Sequence, residues 1–277
     1  MKPTQLIRLG PADADRLLGL TDADPVCGAL VRSLLFRFGL AGPIEYHGMA
    51  LEELVGVVTL DDQGRSTILG GDPEWAGSIA EWGREVLAAN RRLAFIDAPE
   101  DIAIPLARLL PPRATEELGI WAWRKDAAPT PPAERSRPGG FELRELAPGD
   151  GPGLQALYDA DLYLGKIQAA NVVSAAAAGH RLVIVGLFGG EIAAAAWGSL
   201  TEPGASRVSG VMTHPRHRGR GFASAVVGDL TGRLVDLGKR PFLYVSLHNP
   251  PAMSTYERLG YKPYARINKL HYEETQE

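Results

Sequence analysis

Cysteine occurs once in 277 residues, at Cys27, which excludes an internal disulfide and fits a reducing compartment. Cys27 sits among Val26, Ala29 and Leu30 and reads as a small core residue rather than a nucleophile. Long apolar runs are also lacking. Stretches such as Ile192 to Trp197 fall far short of the roughly 20 residues that span a bilayer. The opening Met1-Lys2-Pro3-Thr4-Gln5 is too polar and too soon broken for a secretory signal, so a cytoplasmic protein without membrane contact is expected. Net positive charge is missing as well: the formal balance is -4, and the notable arginines crowd one turn instead of spreading along a face, which argues against nucleic acid as a partner. The histidines at 47, 180, 214, 217, 248 and 271 have no Cys or carboxylate neighbours at ligand spacing, and no metal is expected.

What is present is an ordinary globular composition, 45% apolar and 22% charged, in a chain long enough for two domains. The segment 126–140 holds four prolines and no apolar periodicity, as an extended linker would. Domains are therefore expected at 1–128 and 141–277, joined by a Pro-rich linker at 129–140. The halves read alike. In the first, Pro11 to Phe38 is mostly helical in pattern, and strands follow at Ile44–His47, Leu54–Leu60 and Thr67–Leu69. A helix at Trp75–Ala89, a strand at Leu93–Asp97, a helix at Glu100–Leu110 and a strand at Leu118–Trp123 complete it. The second half offers strands at Phe141–Leu146, Leu182–Phe188, Ile192–Ser199, Ser206–Met212 and Phe242–Leu247, with a helix at Ser224–Leu237.

Chemistry concentrates at Val211-Met212-Thr213-His214-Pro215-Arg216-His217-Arg218-Gly219-Arg220-Gly221-Phe222-Ala223. An apolar strand runs into a basic glycine turn that opens directly onto a helix. Glycine lets the backbone turn sharply and approach a ligand, and the free N–H groups of a helix start favour an anion. The arginines supply matching charge, so the turn reads as a phosphate or pyrophosphate cradle. It is not a dinucleotide fingerprint, because Ser224 stands where the third glycine belongs, and it is not a P-loop, because no G-K-S/T is present. Ser224 itself is a helix-start residue, since no G-x-S-x-G surrounds it.

Arg218-Gly219-Arg220-Gly221-Phe222-Ala223 resembles the Q/R-x-x-G-x-G/A signature of the GNAT superfamily of acyl-CoA-dependent N-acyltransferases. The register Arg216-x-x-Gly219-x-Gly221 also fits the letters. Downstream, Asn249-Pro250-Pro251-Ala252-Met253-Ser254-Thr255-Tyr256-Glu257-Arg258-Leu259-Gly260-Tyr261 resembles the family's second motif, N-x-x-A-x-x-x-Y-E-x-x-G-F. The resemblance implies an α/β (α+β) chain of two GNAT-like domains, each with a mixed, mostly antiparallel central sheet flanked by helices. It implies transfer of an acetyl group from acetyl-CoA, the cosubstrate, directly to a primary amine of a small molecule or peptide, in a monomer or homodimer. By the same resemblance Tyr256 is the general acid at the coenzyme sulfur. Met212 and Thr213 offer backbone to the pantetheine amides, and Arg218 through Ser224 (Gly219, Arg220, Gly221, Phe222 and Ala223 between them) hold the pyrophosphate. Asn249 stands near the pantetheine arm or holds the strands apart.

The family's usual glutamate on the strand before the glycine turn is absent from Ala205 to Thr213. His214, His248, Glu191 and Glu202 are the nearest candidates for a general base, and none stands out. The missing carboxylate leaves open a non-catalytic acyl-CoA-binding sensor. For the acceptor, Asp159 and Asp161 could hold a cationic amine between Tyr158 and Tyr163, or form a solvated face beside buried tyrosines. In the first half the glycine turn is replaced by Gly70-Gly71-Asp72-Pro73-Glu74-Trp75, whose two carboxylates would repel a pyrophosphate. That half is read as degenerate: it shapes the entrance or a dimer surface, or it only packs.

Overall fold

The structure is a computed structural model that describes residues 6–50, 53–124, 139–160, 167–201 and 203–273. Most of the expected linker, together with Asp161, Tyr163 and Glu202, lies outside the described residues. In chain order the elements are β1 (Ile7–Arg8), α1 (Ala14–Ala23), α2 (Ala29–Phe38), β2 (Glu45–Ala50), β3 (Leu54–Leu60), β4 (Arg65–Gly70), α3 (Ala76–Ala88), β5 (Phe95–Pro99), α4 (Glu100–Leu109) and β6 (Ala114–Trp123). They continue with β7 (Phe141–Glu145), α5 (Gly151–Asp159), α6 (Ala169–Ala177), β8 (Arg181–Phe188), β9 (Glu191–Ser199), β10 (Ala205–Thr213), α7 (Phe222–Asp236), β11 (Arg240–Ser246), α8 (Pro250–Arg258) and β12 (Tyr261–His271).

These elements form two compact units, and the division differs from a single cut at the Pro-rich segment. Unit 1 takes Met1–Ile120 together with Ser246–His248 and Tyr264–Glu277; unit 2 takes Trp121–Val245 and Asn249–Pro263. Most of β12 thus belongs to unit 1. The sequence reading has no strand there, because Pro263 and the spacing of Ile267 and Leu270 interrupt the alternation that announces one.

In unit 1, β1 to β4 pair antiparallel in sequence order, β4 pairs parallel with β5, and β5 pairs antiparallel with β12 through Ile267↔Pro99 to His271↔Phe95. Helix α3 buries Ile79, Ala80, Trp82, Gly83 and Val86, the three-to-four spacing of one helical face. With α4 it covers one side of the sheet, where Trp75, Ile96 and Ile102 are sealed; α1 and α2 cover the other with Leu17, Val31 and Tyr46. The expected helix over Pro11–Phe38 is interrupted at residues 24–28. There Asp24 Oδ1 accepts the N–H groups of Val26 (3.1 Å) and Cys27 (3.0 Å), a side-chain turn that competes with the helix ladder.

Unit 2 repeats the plan. Strands β7, β8, β9 and β10 pair antiparallel in turn, and β10 pairs parallel with β11. Helix α7 turns Phe222, Val226, Val227, Leu230 and Leu234 onto one face of the sheet; α5 and α6 cover the opposite face with Leu154, Leu157, Tyr158 and Val172. Residues paired across neighbouring strands share a face, so the registers assign each side chain of β10 to one of these two cores.

Candidate active site

The site begins where two strands part. β10 and β11 pair only from Ala205↔Arg240 to Val208↔Leu243, although both continue toward the glycine turn. On its other edge β10 pairs with β9, but the register shifts between Ser209↔Trp197 and Met212↔Ala195, so Gly210 and Val211 stand opposite Ala196 alone. Gly210 is required at this bulge: its φ is +58°, and a Cβ would fall 1.6 Å from the Trp197 ring. The bulge bends β10, and among the described residues no strand pairs with the β11-facing edge of Ser209–Thr213.

At the head of this gap lies the turn. Residues Pro215–His217 form a 3-10 turn, closed by the His214 ring, whose Nδ1 accepts the Arg216 N–H at 3.2 Å. Gly219 and Gly221 follow with φ of +77° and +81°, and a Cβ on either would meet nothing within 4 Å. Helix α7 starts at once with no side chain capping it, which leaves its first N–H groups aimed into open space. Phe222 anchors the start, stacked at 4.0 Å on Phe141. Across the gap α8 begins at Asn249, whose Oδ1 accepts the Ala252 N–H at 3.2 Å.

These pieces enclose one cleft of about 830 Å³ within unit 2. Its wall contains Met212, Thr213, Arg218, Gly219, Gly221, Phe222, Ala223, Ser224, Asn249 and Tyr256, all singled out from the sequence. Arg220 is the exception, with its guanidinium turned over the Phe188 ring at 5.3 Å. Val211, His217, Pro251, Ser254, Thr255 and Arg258 also line it and were not foreseen. The last three sit on the cleft side of α8, which a polar helix pattern does not reveal. Two polar atoms at the wall, Thr213 Oγ1 and His217 Nδ1, are buried without a hydrogen-bond partner among the described residues.

Tyr256 is 9% exposed, tilted edge-on to Tyr261 at 6.1 Å, and burial pushes its phenol up to about 12. None of the described candidates for a base, His214, His248 and Glu191, lines the cleft wall. The pKa of the His214 imidazole is lowered from its ordinary value by burial and by the nearby Arg216 and His217. Glu191 pairs loosely with Arg216 at 3.9 Å, and His248 with Glu117 at 3.8 Å. Of the acceptor candidates that are described, Tyr158 is fully buried against Trp197 and Asp159 accepts from Gln155 at 2.8 Å. Among the described residues no group of three or more His, Cys, Asp or Glu converges as a metal site, and no helix is long and apolar enough to cross a membrane.

The corresponding region of unit 1 differs. β4 and β5 pair only as far as Thr67↔Asp97, and the fully buried Met49 and Ile102 pack close to Gly71, just past the end of β4. Met49 Sδ lies 2.8 Å from where a Cβ on Gly71 would stand. At the turn before α3, Asp72 Oδ1 accepts the Glu74 N–H at 2.9 Å, so the chain's own carboxylate takes the place open to an anion in unit 2.

Residues 184–269 match the FR47-like protein family. No curated protein matches the chain. Among solved structures, the chain resembles a GCN5-related N-acetyltransferase from Sphaerobacter thermophilus, with a TM-score of 0.69 and 17% identity over 97% of this chain and 96% of that one. It also resembles a tandem GNAT protein from the clavulanic acid biosynthesis pathway (0.65, 14%, 98% and 99%) and a GCN5-related N-acetyltransferase from Kribbella flavida (0.61, 17%, 91% and 96%). At these identities the likeness is one of fold. Residues 184–269 thus resemble the FR47-like family, and the chain as a whole has the fold of a tandem GNAT protein.

Proposed function

We propose that the chain is an acetyl-CoA-dependent N-acetyltransferase acting on a primary amine, with one active site, in unit 2. The observation that carries this reading is the uncapped start of α7, open beneath two glycines and continuous through the β10–β11 gap with Tyr256. Helix N–H groups and Arg218 suit a pyrophosphate. The unpaired edge of β10 suits the pantetheine amides, which would add to it as a short strand does. Helices α7 and α8 both pack on the same face of the sheet, so the coenzyme fills that side and the amine approaches from the side of α5 and α6.

In the transfer, the neutral amine nitrogen bonds to the thioester carbonyl carbon, the C–S bond breaks, and the sulfur leaves with the electron pair. The amine loses one proton and the sulfur gains one. A phenol near 12 gives up its proton to a thiolate with a reference pKa of about 8.5 only at a cost of roughly 5 kcal/mol. Tyr256 therefore acts chiefly as a hydrogen-bond donor to the departing sulfur, and the proton that ends there originates from the acceptor amine. With no described carboxylate on the cleft wall, the amine passes that proton to water, which delivers it to the thiolate.

That same absence favours a second reading, a coenzyme-binding sensor without turnover. Titration calorimetry with acetyl-CoA, alongside an acetylation assay over an amine panel, separates the two. Binding at one site with turnover that falls in Tyr256→Phe supports the enzyme; binding without turnover supports the sensor. No binding sinks both.

A further inference from the structure

The amine-side face of the sheet carries a charge that the transfer itself does not use. Arg207 lies in the middle of β10, one residue before pairing with β11 ends. The registers Val208↔Gly198, Ser209↔Trp197 and Arg207↔Phe242 set Arg207, Ser209, Trp197 and Phe242 on the α5/α6 face, with Tyr244 two residues beyond Phe242. The Arg207 guanidinium lies over the Tyr244 ring at 5.5 Å and the residue is only partly exposed. Among the described residues no carboxylate lies within ion-pairing distance of it.

A half-buried guanidinium loses hydration and cannot shed its charge, so an anion that completes it is strongly favoured. Stacking on a tyrosine offsets part of that loss and holds the planar donor fork in one orientation, the geometry that grips a carboxylate through two parallel hydrogen bonds. A strand rises about 3.3 Å per residue, so Ser209, where the gap opens, is only about 7 Å farther along β10 than Arg207. A group bound at Arg207 is thus within one small molecule's length of an amine reacting in the gap.

We infer that the acceptor is an amino carboxylate, whose carboxylate is held by Arg207 over Tyr244 while its amine reaches the thioester from the α5/α6 face. Arg207 is then a specificity-determining residue. The inference rests on the acetyltransferase reading above.

The test measures acetyl transfer to amino acids and to the matching amino acid amides, with wild type and with Arg207→Gln and Arg207→Lys, while calorimetry follows acetyl-CoA binding. The expected result is a preference of at least tenfold in kcat/KM for the acids in wild type. Arg207→Gln should abolish it by raising KM for the acids alone, Arg207→Lys should restore part of it, and acetyl-CoA affinity should stay within twofold throughout. Amides used as well as acids by wild type, or an equal loss on both in Arg207→Gln, overturns the inference and leaves the acetyltransferase reading standing. If acetyl-CoA binds but no amine is acetylated, N-acetyl amino acids and their amides are titrated into the coenzyme A complex instead. Carboxylate-dependent binding lost in Arg207→Gln supports the anion site, and its absence overturns it. No coenzyme binding in wild type sinks the acetyltransferase reading and the inference together.

Discussion

At the scale of single residues, Tyr256 and Gly210 make opposite kinds of demand on the site. Tyr256 is a chemical requirement. Tyr256→Phe keeps the ring packing and removes one hydroxyl, so kcat is expected to fall about 10- to 100-fold with acetyl-CoA affinity within twofold, as steady-state kinetics and calorimetry would show. The phenol stays protonated until the pH nears 12, so it adds no falling limb to the rate between pH 7 and 10. A decline in that range that vanished in Tyr256→Phe would contradict this. Gly210 is a steric requirement. Gly210→Ala forces a methyl into the Trp197 ring and strains a positive φ, at a cost of about 2–4 kcal/mol measurable by denaturant unfolding. Trp197→Ala empties a core position and is costly by itself, but in that background Gly210→Ala should cost less than in the wild type, because the clash is gone and only the φ strain remains.

At the scale of elements, the glycine turn was legible because its chemistry is local: residues adjacent in sequence also form the cradle. The same holds for strands β3, β8 and β9, whose apolar runs need no partner to be recognised. Arg207 was not legible, because its meaning depends on which face it shares with Tyr244, and only strand pairing decides that. The connection from β7 to α5 gives an element-level prediction. Arg144 grips Asp150 through two bonds of 2.5 and 2.8 Å, and Asp150 also accepts the Ala147 N–H at 2.6 Å. The Arg144 guanidinium holds the Asp150 carboxyl below its ordinary value. A lowered folded-state pKa stabilises above the unfolded value, and the gain disappears as pH falls through the folded one. Asp150→Asn should therefore cost about 1 kcal/mol near pH 7, after allowance for solvent screening, and progressively less below about pH 4, followed by Tm against pH.

At the scale of the whole molecule, two units of like plan have unlike interiors. In unit 1 the buried Met49 and Ile102 crowd Gly71 just past β4, and Asp72 Oδ1 accepts the helix-start N–H of Glu74. One acetyl-CoA per chain is the expected stoichiometry, and Gly221→Asp, which sets a carboxylate in the open turn, should remove it completely. A residual site in that variant would mean unit 1 binds after all. The similarity of the halves was legible from element order. The membership of β12 was not: the strand registers with β5 across more than 150 residues of sequence, and nothing in its own composition points there.

That long-range pairing has a consequence for synthesis. The first unit encoded is the last to be finished, because the strand beside β5 is made only after every element of unit 2. While unit 2 is being translated, β5 presents an unpaired edge, the kind of surface on which nascent chains aggregate. A chain released before Tyr264 should therefore show its damage at the other end of the sequence, with early proteolysis in residues 1–120 while the cleft beside Tyr256 is still intact.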